Sequence, residues 1–307
     1  MTDIKIYDTI IIGGGPGGYT AALYTVRAGF STLVIERFSA GGQMTETALI
    51  ENYPGLFEGI DGFTLGFNMQ QGAEKFGADT LQAEVIEVDL NASPKVIKTD
   101  SGTFYAKTVI IATGASHKHL NIENENALVG RGLGYCATCD GMFYKGKTVA
   151  VVGGGNSAAA AALYLSRICE KVYLVHRRDA LRATKVYHDP LLKAENVEFL
   201  WNSQIKEFVF EQKINGIKLE NVQTKEVKSL TLDGVFICIG QAPATSLFKG
   251  QLNLDESGYI IADESTKTNI DGVFAVGDVR TKAVRQIVTA AADGAVAAHY
   301  IEEYLSR

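Results

Sequence analysis

The chain has 307 residues, 46% of them hydrophobic and 21% charged, which is typical of a soluble folded protein too long for a single hydrophobic core. A net charge of −6 argues against sequence-independent nucleic-acid binding, which needs a basic face. The sequence has no cationic leader followed by a long apolar run, and no membrane-length apolar window. We therefore expect a cytoplasmic protein of two domains that binds neither membrane nor nucleic acid.

The N-terminal segment predicts a nucleotide-binding β-α-β unit. Residues 7–12 are rich in branched apolar side chains, which is typical of a buried parallel strand. Gly13, Gly15 and Gly18 follow, then an alanine-rich helix and a strand that ends at Glu36. Such glycines allow a pyrophosphate to approach the helix N-terminus, and the acid can accept hydrogen bonds from a ribose. The alternative is a glycine turn with a purely structural role.

Two histidines follow the next predicted strand, which spans 107–116. His117 and His119 have the spacing of a metal-binding pair, but no thiol or carboxylate lies near them in sequence. A surface loop is therefore the better interpretation.

Cys136 and Cys139 form a CxxC pair that is followed by Asp140. Such a pair can close a redox-active disulfide, and the acid can supply or hold a proton. A structural zinc site needs two more ligands at comparable spacing, whereas Cys169 and Cys238 stand alone in the sequence. We interpret the pair as redox-active and predict no metal site.

A second β-α-β unit follows the cysteines and repeats the first. Its glycine turn contains Gly153 and Gly155, with Ala158 at the third position. At the position of the acid in the first unit it has His176, which begins a basic cluster. A cationic cluster selects the 2'-phosphate of NADPH, and the alternative is a solvated basic patch. The other members of the cluster are Arg177, Arg178 and Arg182.

Residues 272–280 predict one more buried strand, with an exposed acid, Asp278, directly after Gly277. A helix rich in small residues follows. Because this strand and the strand at 107–116 flank the second unit, we expect that unit to be inserted into the first domain. The predicted fold is α/β, with two Rossmann-like three-layer domains. Both a hydride and a dithiol carry two electrons, so a flavin in the first domain is the natural relay between nicotinamide and disulfide.

The flanking strands place the crossovers between the domains near residues 115 and 245, which gives an FAD domain, 1–115 with 246–307, and an NADPH domain, 116–245. Nine motifs occur in order along the chain: GGGPGG (13–18), GGQM (41–44), ENYPG (51–55), ATG (112–114), CATCDG (136–141), GGGNSA (153–158), HRRDALRA (176–183), GDVR (277–280) and RQIVTAAADGA (285–295). With these motifs the sequence resembles the low-molecular-weight thioredoxin reductases along nearly its whole length. The resemblance implies a homodimeric enzyme in which electrons pass from NADPH through FAD and the cysteine pair to the disulfide of thioredoxin. It also implies that the NADPH domain rotates against the FAD domain.

The resemblance also implies roles for individual residues. Cys139 would face the flavin, Cys136 would attack the substrate disulfide, and Asp140 would act as the acid. The implied FAD contacts are Gly13, Gly15, Gly18, Glu36, Gln43, Asn52, Asp278, Arg285, Gln286 and Ile287. The NADPH contacts are Ser157, His176, Arg177, Arg178 and Arg182, together with the turn glycines Gly153 and Gly155.

The sequence departs from the family pattern at Ala160 and Ala161, where relatives usually carry two glutamates. We expect slower hydride transfer with intact phosphate recognition, against the alternative that alanine simply favours the helix. Met142 also replaces a common aromatic residue, which predicts a different partner-docking surface. Two other functions stay open: a flavin dithiol oxidase that passes electrons to oxygen, and a flavin redox sensor that switches without turnover.

Overall fold

The computed structural model describes residues 5–307. The first four residues, part of the segment in which the sequence shows no leader, lie outside the described part. The chain divides into two compact units. One runs to Ser116 and resumes over Ala242–Arg307, and the other is His117–Gln241. No helix within the described range is long and apolar enough to cross a membrane.

Each unit combines a mainly parallel sheet with helices, which confirms the predicted α/β class. The helices are α1 (Pro16–Arg27), α2 (Gly62–Glu74), α3 (Glu125–Leu128), α4 (Ala137–Asp140), α5 (Asn156–Ser166), α6 (His188–Lys193) and α7 (Ile287–Leu305). The strands are β1 (Ile6–Ile12), β2 (Thr32–Glu36), β3 (Asp79–Gln82), β4 (Val85–Asp89), β5 (Lys95–Thr99), β6 (Gly102–Ile111), β7 (Ala115–His117), β8 (Leu133–Gly134), β9 (Thr148–Val152), β10 (Lys171–Val175), β11 (Val197–Leu200), β12 (Ser203–Phe210), β13 (Ile214–Asn221), β14 (Val227–Thr231), β15 (Gly234–Ile237), β16 (Gln241–Pro243) and β17 (Val273–Ala275).

The sheet of the first unit has the strand order β3-β2-β1-β6-β5-β4, and β17 pairs in parallel with the C-terminal part of β6. Side chains of β1 alternate between the two faces, as a strand buried on both sides requires. Ile10 and Ile12 pack into a cluster on one face, whereas Ile11 packs with Tyr19 of α1 and Ile301 of α7 on the other. The sheet is therefore a middle layer, with α1 and α7 covering the second face.

The second unit contains a five-stranded parallel sheet of order β11-β10-β9-β15-β8 and a three-stranded antiparallel sheet, β12-β13-β14. Val149 and Val151 of β9 pack with Leu165 of α5 on one face. On the other face, Ala150 packs with Ile217 of the antiparallel sheet. An interior strand of each sheet thus leads into a glycine turn: β1 in the first unit and β9 in the second.

The chain passes between the units along β7 and β16, which pair as a two-stranded ribbon. The sequence places the second crossing near residue 245, whereas residues 242–245 belong to the first unit. The Ala244 amide donates to the Gly114 carbonyl at 3.0 Å, and the Thr113 hydroxyl donates to the Ala244 carbonyl at 2.8 Å. These local hydrogen bonds hold the segment that returns to the first unit. Residue composition does not reveal such bonds, so it does not locate the end of the second unit.

A buried ionic network ties the turn after β17 to α7. Asp293, on α7, accepts hydrogen bonds from the Arg280 guanidinium at 2.7 and 2.9 Å, from the Lys282 ammonium at 2.8 Å and from the Gly277 amide at 2.8 Å. Burial by itself would raise the pKa of Asp293, but the donors from Arg280 and Lys282 outweigh it and hold the pKa below its ordinary value. The carboxylate therefore stabilises this turn in its charged form.

We expect Asp293→Ala to lower the free energy of unfolding of this unit by about 3–5 kcal/mol, because it leaves the buried Arg280 charge without its partner. Urea unfolding at pH 7 measures the loss. Glu198→Ala is the control, since Glu198 pairs with Lys171 on the surface and its loss should cost less than about 1 kcal/mol.

The loss of unfolding free energy in Asp293→Ala should become smaller as the pH falls. The pKa of Asp293 is lowered by folding, so its stabilisation is present above the unfolded-state pKa and is lost as the pH falls through the folded-state pKa. The difference in the free energy of unfolding between wild type and Asp293→Ala should therefore shrink in acid. If this difference at pH 7 is no larger than the one caused by Glu198→Ala, the role of the network is contradicted.

Candidate redox and dinucleotide sites

Cys136 and Cys139 are joined by a disulfide, with an S–S distance of 2.04 Å and a Cα–Cα distance of 5.3 Å. Cys136 is the N-cap of the short helix α4, which contains Cys139, and both residues are half-buried. Within residues 5–307, no group of three or more histidine, cysteine or acidic side chains is placed to hold a metal. The two sulfur atoms are thus joined across a single helical turn.

The two other cysteines are free thiols in the second unit. Burial raises the pKa of Cys169 to about 11 and that of Cys238 to about 12. A thiol that stays protonated is a poor nucleophile, so neither cysteine has the reactivity expected of a redox centre.

Asp140 closes α4 and has its carboxyl group against Gly134 of β8. A Cβ at Gly134 would lie 3.1 Å from the Asp140 Oδ2 atom. Burial raises the pKa of Asp140 to about 6. A carboxyl group with this pKa, one residue after Cys139, can accept and return a proton near neutral pH.

The glycines of the first turn divide into two kinds. Gly13 has a φ of +108°, and a Cβ there would collide with the carbonyl oxygen of Ala112. A Cβ at Gly18 would collide with the carbonyl oxygen of Gly13. At Gly15, by contrast, a Cβ would meet no described atom within 4 Å beyond its chain neighbours. Gly13 and Gly18 are needed for packing, whereas Gly15 keeps open the space in front of the α1 N-terminus, where a pyrophosphate can bind.

Glu36 lies at the end of β2, beside this turn. Its Oε2 atom accepts a hydrogen bond from the Gly14 amide at 2.6 Å, and its Oε1 atom accepts one from the Phe38 amide at 3.0 Å. A carboxylate has about four acceptor positions, so two stay available for ribose hydroxyls. A cavity of about 340 Å³ adjoins Glu36, and its lining includes Phe63 and Phe67 of α2. These aromatic walls suit a nucleotide. No motif predicts them, because they come from a helix that is separate from the glycine turn.

Other predicted FAD contacts meet at the N-terminus of α7. The Asn52 side-chain amide donates to the Gln286 Oε1 atom at 3.1 Å, although the two residues are 234 positions apart. The Arg285 guanidinium lies 4.1 Å from the centre of the Tyr259 ring and donates to the Asp278 carbonyl at 3.5 Å. The fold thus brings together polar groups from three distant segments.

Two further predicted FAD contacts, Ile287 and Gln43, differ in how far their side chains are exposed. Ile287 begins α7 and packs against an apolar cluster that includes Met44 and Leu65. Gln43 lies in a short 3-10 helix, Gly42–Glu46, with its side chain exposed.

The expectation that Asp278 is exposed is wrong. Its residue is only partly accessible, and its Oδ1 atom is buried without a hydrogen-bond partner in the described part of the chain. Burial raises the pKa of Asp278. The reason is the Asp293 network, because Asp293 of α7 accepts a hydrogen bond from the Gly277 amide and so holds this turn against the helix. The sequence pattern does not reveal that contact. A buried, unpaired carboxylate oxygen fits a ligand hydroxyl that donates to it.

The second turn repeats the first. Gly153 has a φ of +145°, and a Cβ there would collide with the carbonyl oxygen of Cys238 at the end of β15. A Cβ at Gly155 would meet no described atom within 4 Å beyond its chain neighbours. Ala158 and the exposed Ser157 lie in the first turn of α5. The backbone of both turns therefore leaves the same opening at the helix N-terminus.

His176 does not contribute an exposed positive charge. It is 5% exposed and packs beneath Gly154, where a Cβ would collide with its imidazole ring. Its Nε2 atom has no hydrogen-bond partner among residues 5–307. Burial, together with the neighbouring arginines, lowers the pKa of His176, so the ring is neutral at pH 7. The positive charge of this region comes from side chains that are all exposed: Arg177, Arg178 and Arg182.

The two alanines that depart from the family pattern lie on α5. Ala160 is exposed and Ala161 is buried in the cluster between α5 and the sheet. Their effect on hydride transfer stays a prediction.

A family model of pyridine nucleotide-disulphide oxidoreductases matches residues 7–294. The chain belongs to this family. It is 47% identical over 302 residues to a thioredoxin reductase of Listeria monocytogenes, covering 98% of this chain and 94% of the relative. It is 46% identical over 309 residues to a thioredoxin reductase of Streptomyces coelicolor, covering 100% and 95%. The crystal structure of the thioredoxin reductase from Streptococcus pyogenes superposes with a TM-score of 0.92 at 42% identity, covering 98% of each chain.

These relationships confirm the resemblance and the Rossmann-like architecture that the sequence predicts. A pyridine nucleotide-disulphide oxidoreductase of this kind uses FAD and NADPH. The residues present fit both cofactors, because each glycine turn has an open position at a helix N-terminus and each is followed by side chains suited to one dinucleotide.

We expect Gly155→Ala to weaken NADPH binding by about 10-fold or more without a loss of stability, because its Cβ enters the opening and meets no protein atom. The NADPH dependence of anaerobic flavin bleaching and the melting temperature measure the two effects. Gly154→Ala is the matched control, in which the collision with His176 should lower the Tm. An unchanged NADPH dependence in Gly155→Ala would place the dinucleotide elsewhere.

Proposed function

We propose that the protein reduces the disulfide of thioredoxin with electrons from NADPH, using FAD as the relay and Cys136 and Cys139 as the redox pair. The observation that carries this proposal is the closed Cys136–Cys139 disulfide in a chain with two dinucleotide-binding turns of different charge. The relatives named thioredoxin reductase support the choice of substrate. A cytoplasmic homodimer is part of the proposal, and the domain rotation implied by the resemblance stays a prediction.

In the first unit, the open position at Gly15 and the acceptors of Glu36 would hold the pyrophosphate and ribose of FAD. The unpaired Oδ1 atom of Asp278 would accept from a hydroxyl group at the other end of the cofactor. When bound, FAD accepts a hydride from NADPH and passes two electrons to the disulfide. The other proposed contacts are Gly13, Gly18, Gln43, Asn52, Arg285, Gln286 and Ile287.

In the second unit, the opening at Gly155 would admit the pyrophosphate of NADPH, with Ser157 beside it. The guanidinium groups of Arg177, Arg178 and Arg182 would bind the 2'-phosphate through charge-assisted hydrogen bonds. His176 would support the turn as a neutral ring, so it holds the backbone rather than the phosphate.

The reduced cysteine pair would act by thiol–disulfide exchange. The Cys136 thiolate attacks one sulfur of thioredoxin, a mixed disulfide forms, and the other thioredoxin sulfur leaves as a thiolate and takes up a proton. The Cys139 thiolate then attacks the Cys136 Sγ atom, which restores the Cys136–Cys139 disulfide and releases the second thioredoxin sulfur as a thiolate that also takes up a proton. Thioredoxin has gained two electrons and two protons, and the enzyme pair has been oxidised.

Asp140 would manage the protons of this exchange. Burial raises its pKa to about 6, so at pH 7 it is mainly a carboxylate that can accept a proton from a thiol and return it to a departing thiolate. Its position at the end of α4 keeps it within the same short segment as both cysteines.

We expect Cys136→Ser to keep bound FAD and to leave its bleaching by NADPH nearly unchanged, while thioredoxin reduction falls to background. The physical reason is that the residue that attacks the partner is not needed for hydride transfer to the flavin. The visible spectrum under anaerobic conditions and an insulin-coupled thioredoxin assay measure the two steps. Loss of flavin reduction in Cys136→Ser would overturn the assignment of the attacking cysteine.

The same assays separate the proposed function from the two alternatives. A dithiol oxidase would consume NADPH only with oxygen present, and a redox sensor would reduce one equivalent of partner and then stop. Continuous anaerobic turnover of thioredoxin excludes both.

We expect the enzyme to prefer NADPH to NADH by about 10- to 150-fold in kcat/KM, because a hydrogen bond to a charged group contributes about 1.5–3 kcal/mol. Replacing both Arg177 and Arg178 by alanine should bring this ratio down, and rising salt should do the same because the arginines are exposed. A wild-type ratio near one, or a ratio that the double substitution leaves unchanged, would show that the arginines form only a solvated patch.

A further inference from the structure

A buried carboxylate, Glu125, anchors the segment that leads into the redox pair. Glu125 is 4% exposed and begins the short helix α3. It accepts hydrogen bonds from the backbone amides of Leu120 at 3.1 Å and Asn121 at 2.8 Å, which fold the preceding loop around it. Its Oε1 atom also accepts a hydrogen bond from the Tyr135 hydroxyl at 2.9 Å. The carboxylate therefore joins this loop to the residue directly before Cys136.

Two histidines contact the same tyrosine. The His117 ring stacks on the Tyr135 ring, with centroids 4.7 Å apart and an interplanar angle of 9°. The His119 Nδ1 atom lies 2.9 Å from the Tyr135 hydroxyl and 3.3 Å from the Glu125 Oε1 atom. The expectation of a surface loop for these histidines is thus incomplete: His117 ends β7, and both rings contact Tyr135.

Tyr135 holds the chain at the point where the sheet leads into the redox helix. Leu133 and Gly134 form β8, which is paired with β15, and Cys136 is the N-cap of α4. When the disulfide opens, the Cys136 side chain gains rotational freedom, whereas its backbone stays restrained because the neighbouring Tyr135 is held in place. Attack on a disulfide needs the sulfur in one orientation, and holding the backbone lowers the entropic cost of reaching it.

We propose that Tyr135, clamped by Glu125 and His119, positions Cys136 for attack on the protein disulfide. The proposal rests on the function proposed above. The Tyr135 hydroxyl donates to the Glu125 carboxylate, which makes a charge-assisted hydrogen bond, and the same hydroxyl lies within hydrogen-bond distance of the His119 Nδ1 atom. These contacts restrain the tyrosine ring and, with it, the backbone next to Cys136.

The test compares Tyr135→Phe with wild type in the FAD-loaded enzyme. Phenylalanine keeps the stacked ring and removes only the hydroxyl that meets Glu125 and His119. We expect kcat/KM for oxidised thioredoxin to fall by about 10-fold, the size of a lost hydrogen bond to a charged group. Anaerobic flavin bleaching by NADPH should keep its wild-type rate. Tyr24→Phe, at an exposed position on α1, is the matched control and should match wild type.

His119→Asn gives a second, independent reading. It should lower kcat/KM for thioredoxin while flavin bleaching by NADPH keeps its wild-type rate, whereas His299→Asn, at an exposed position on α7, should leave both unchanged. A purely structural role would lower the melting temperature and both rates alike, and that result would overturn the proposal. So would a Tyr135→Phe enzyme with wild-type thioredoxin kinetics. A wild-type enzyme that reduces no thioredoxin would instead overturn the proposed function, so the two failures can be told apart.

Discussion

The contact between a turn glycine and the carbonyl group of the neighbouring strand underlies both halves of the molecule. Gly13 lies against Ala112 after β6, and Gly153 lies against Cys238 after β15. Neither position has room for a Cβ, and both have a positive φ, which glycine adopts without strain. This close approach sets where the helix after each turn begins, and so it sets where an open N-terminus can meet a pyrophosphate. The rest of each site is arranged around that point.

The two turns share a backbone and differ in the side chain that supports them. Glu36 accepts a hydrogen bond from the Gly14 amide, and its remaining acceptors suit hydroxyl groups. His176 fills the matching position with a neutral ring that packs under Gly154 and leaves the charge to the exposed arginines beside it. An acid there would repel a phosphate, so in the function we propose this one difference between the duplicated units would separate the two dinucleotides. The same backbone would then hold a flavin cofactor in one unit and a nicotinamide cofactor in the other.

Burial decides how the acidic groups work. Asp140 and Asp278 both have raised pKa values because burial disfavours their charged forms, whereas Asp293 is buried but stays ionised because Arg280 and Lys282 donate to it. The first two are suited to exchange a proton or to accept from a ligand. The third is structural, and it holds the Gly277 amide of the turn that carries Asp278. The presence or absence of cationic donors therefore separates the structural carboxylate from the other two.

The sequence by itself determined the α/β class, the duplicated turns, the redox pair and the basic cluster, because each depends on residues close together in the chain whose spacing reflects local backbone geometry. Only the tertiary structure decided what depends on distant segments: the aromatic cavity beside Glu36, the Asn52–Gln286 contact, the buried Oδ1 atom of Asp278, the buried ring of His176, and the anchoring of Tyr135 by Glu125. Local patterns record the preferences of neighbouring residues, whereas burial and hydrogen-bond partners arise when remote segments pack together. That is why the sequence pattern predicts an exposed Asp278, whereas in the structure its residue is only partly accessible and its Oδ1 atom is buried.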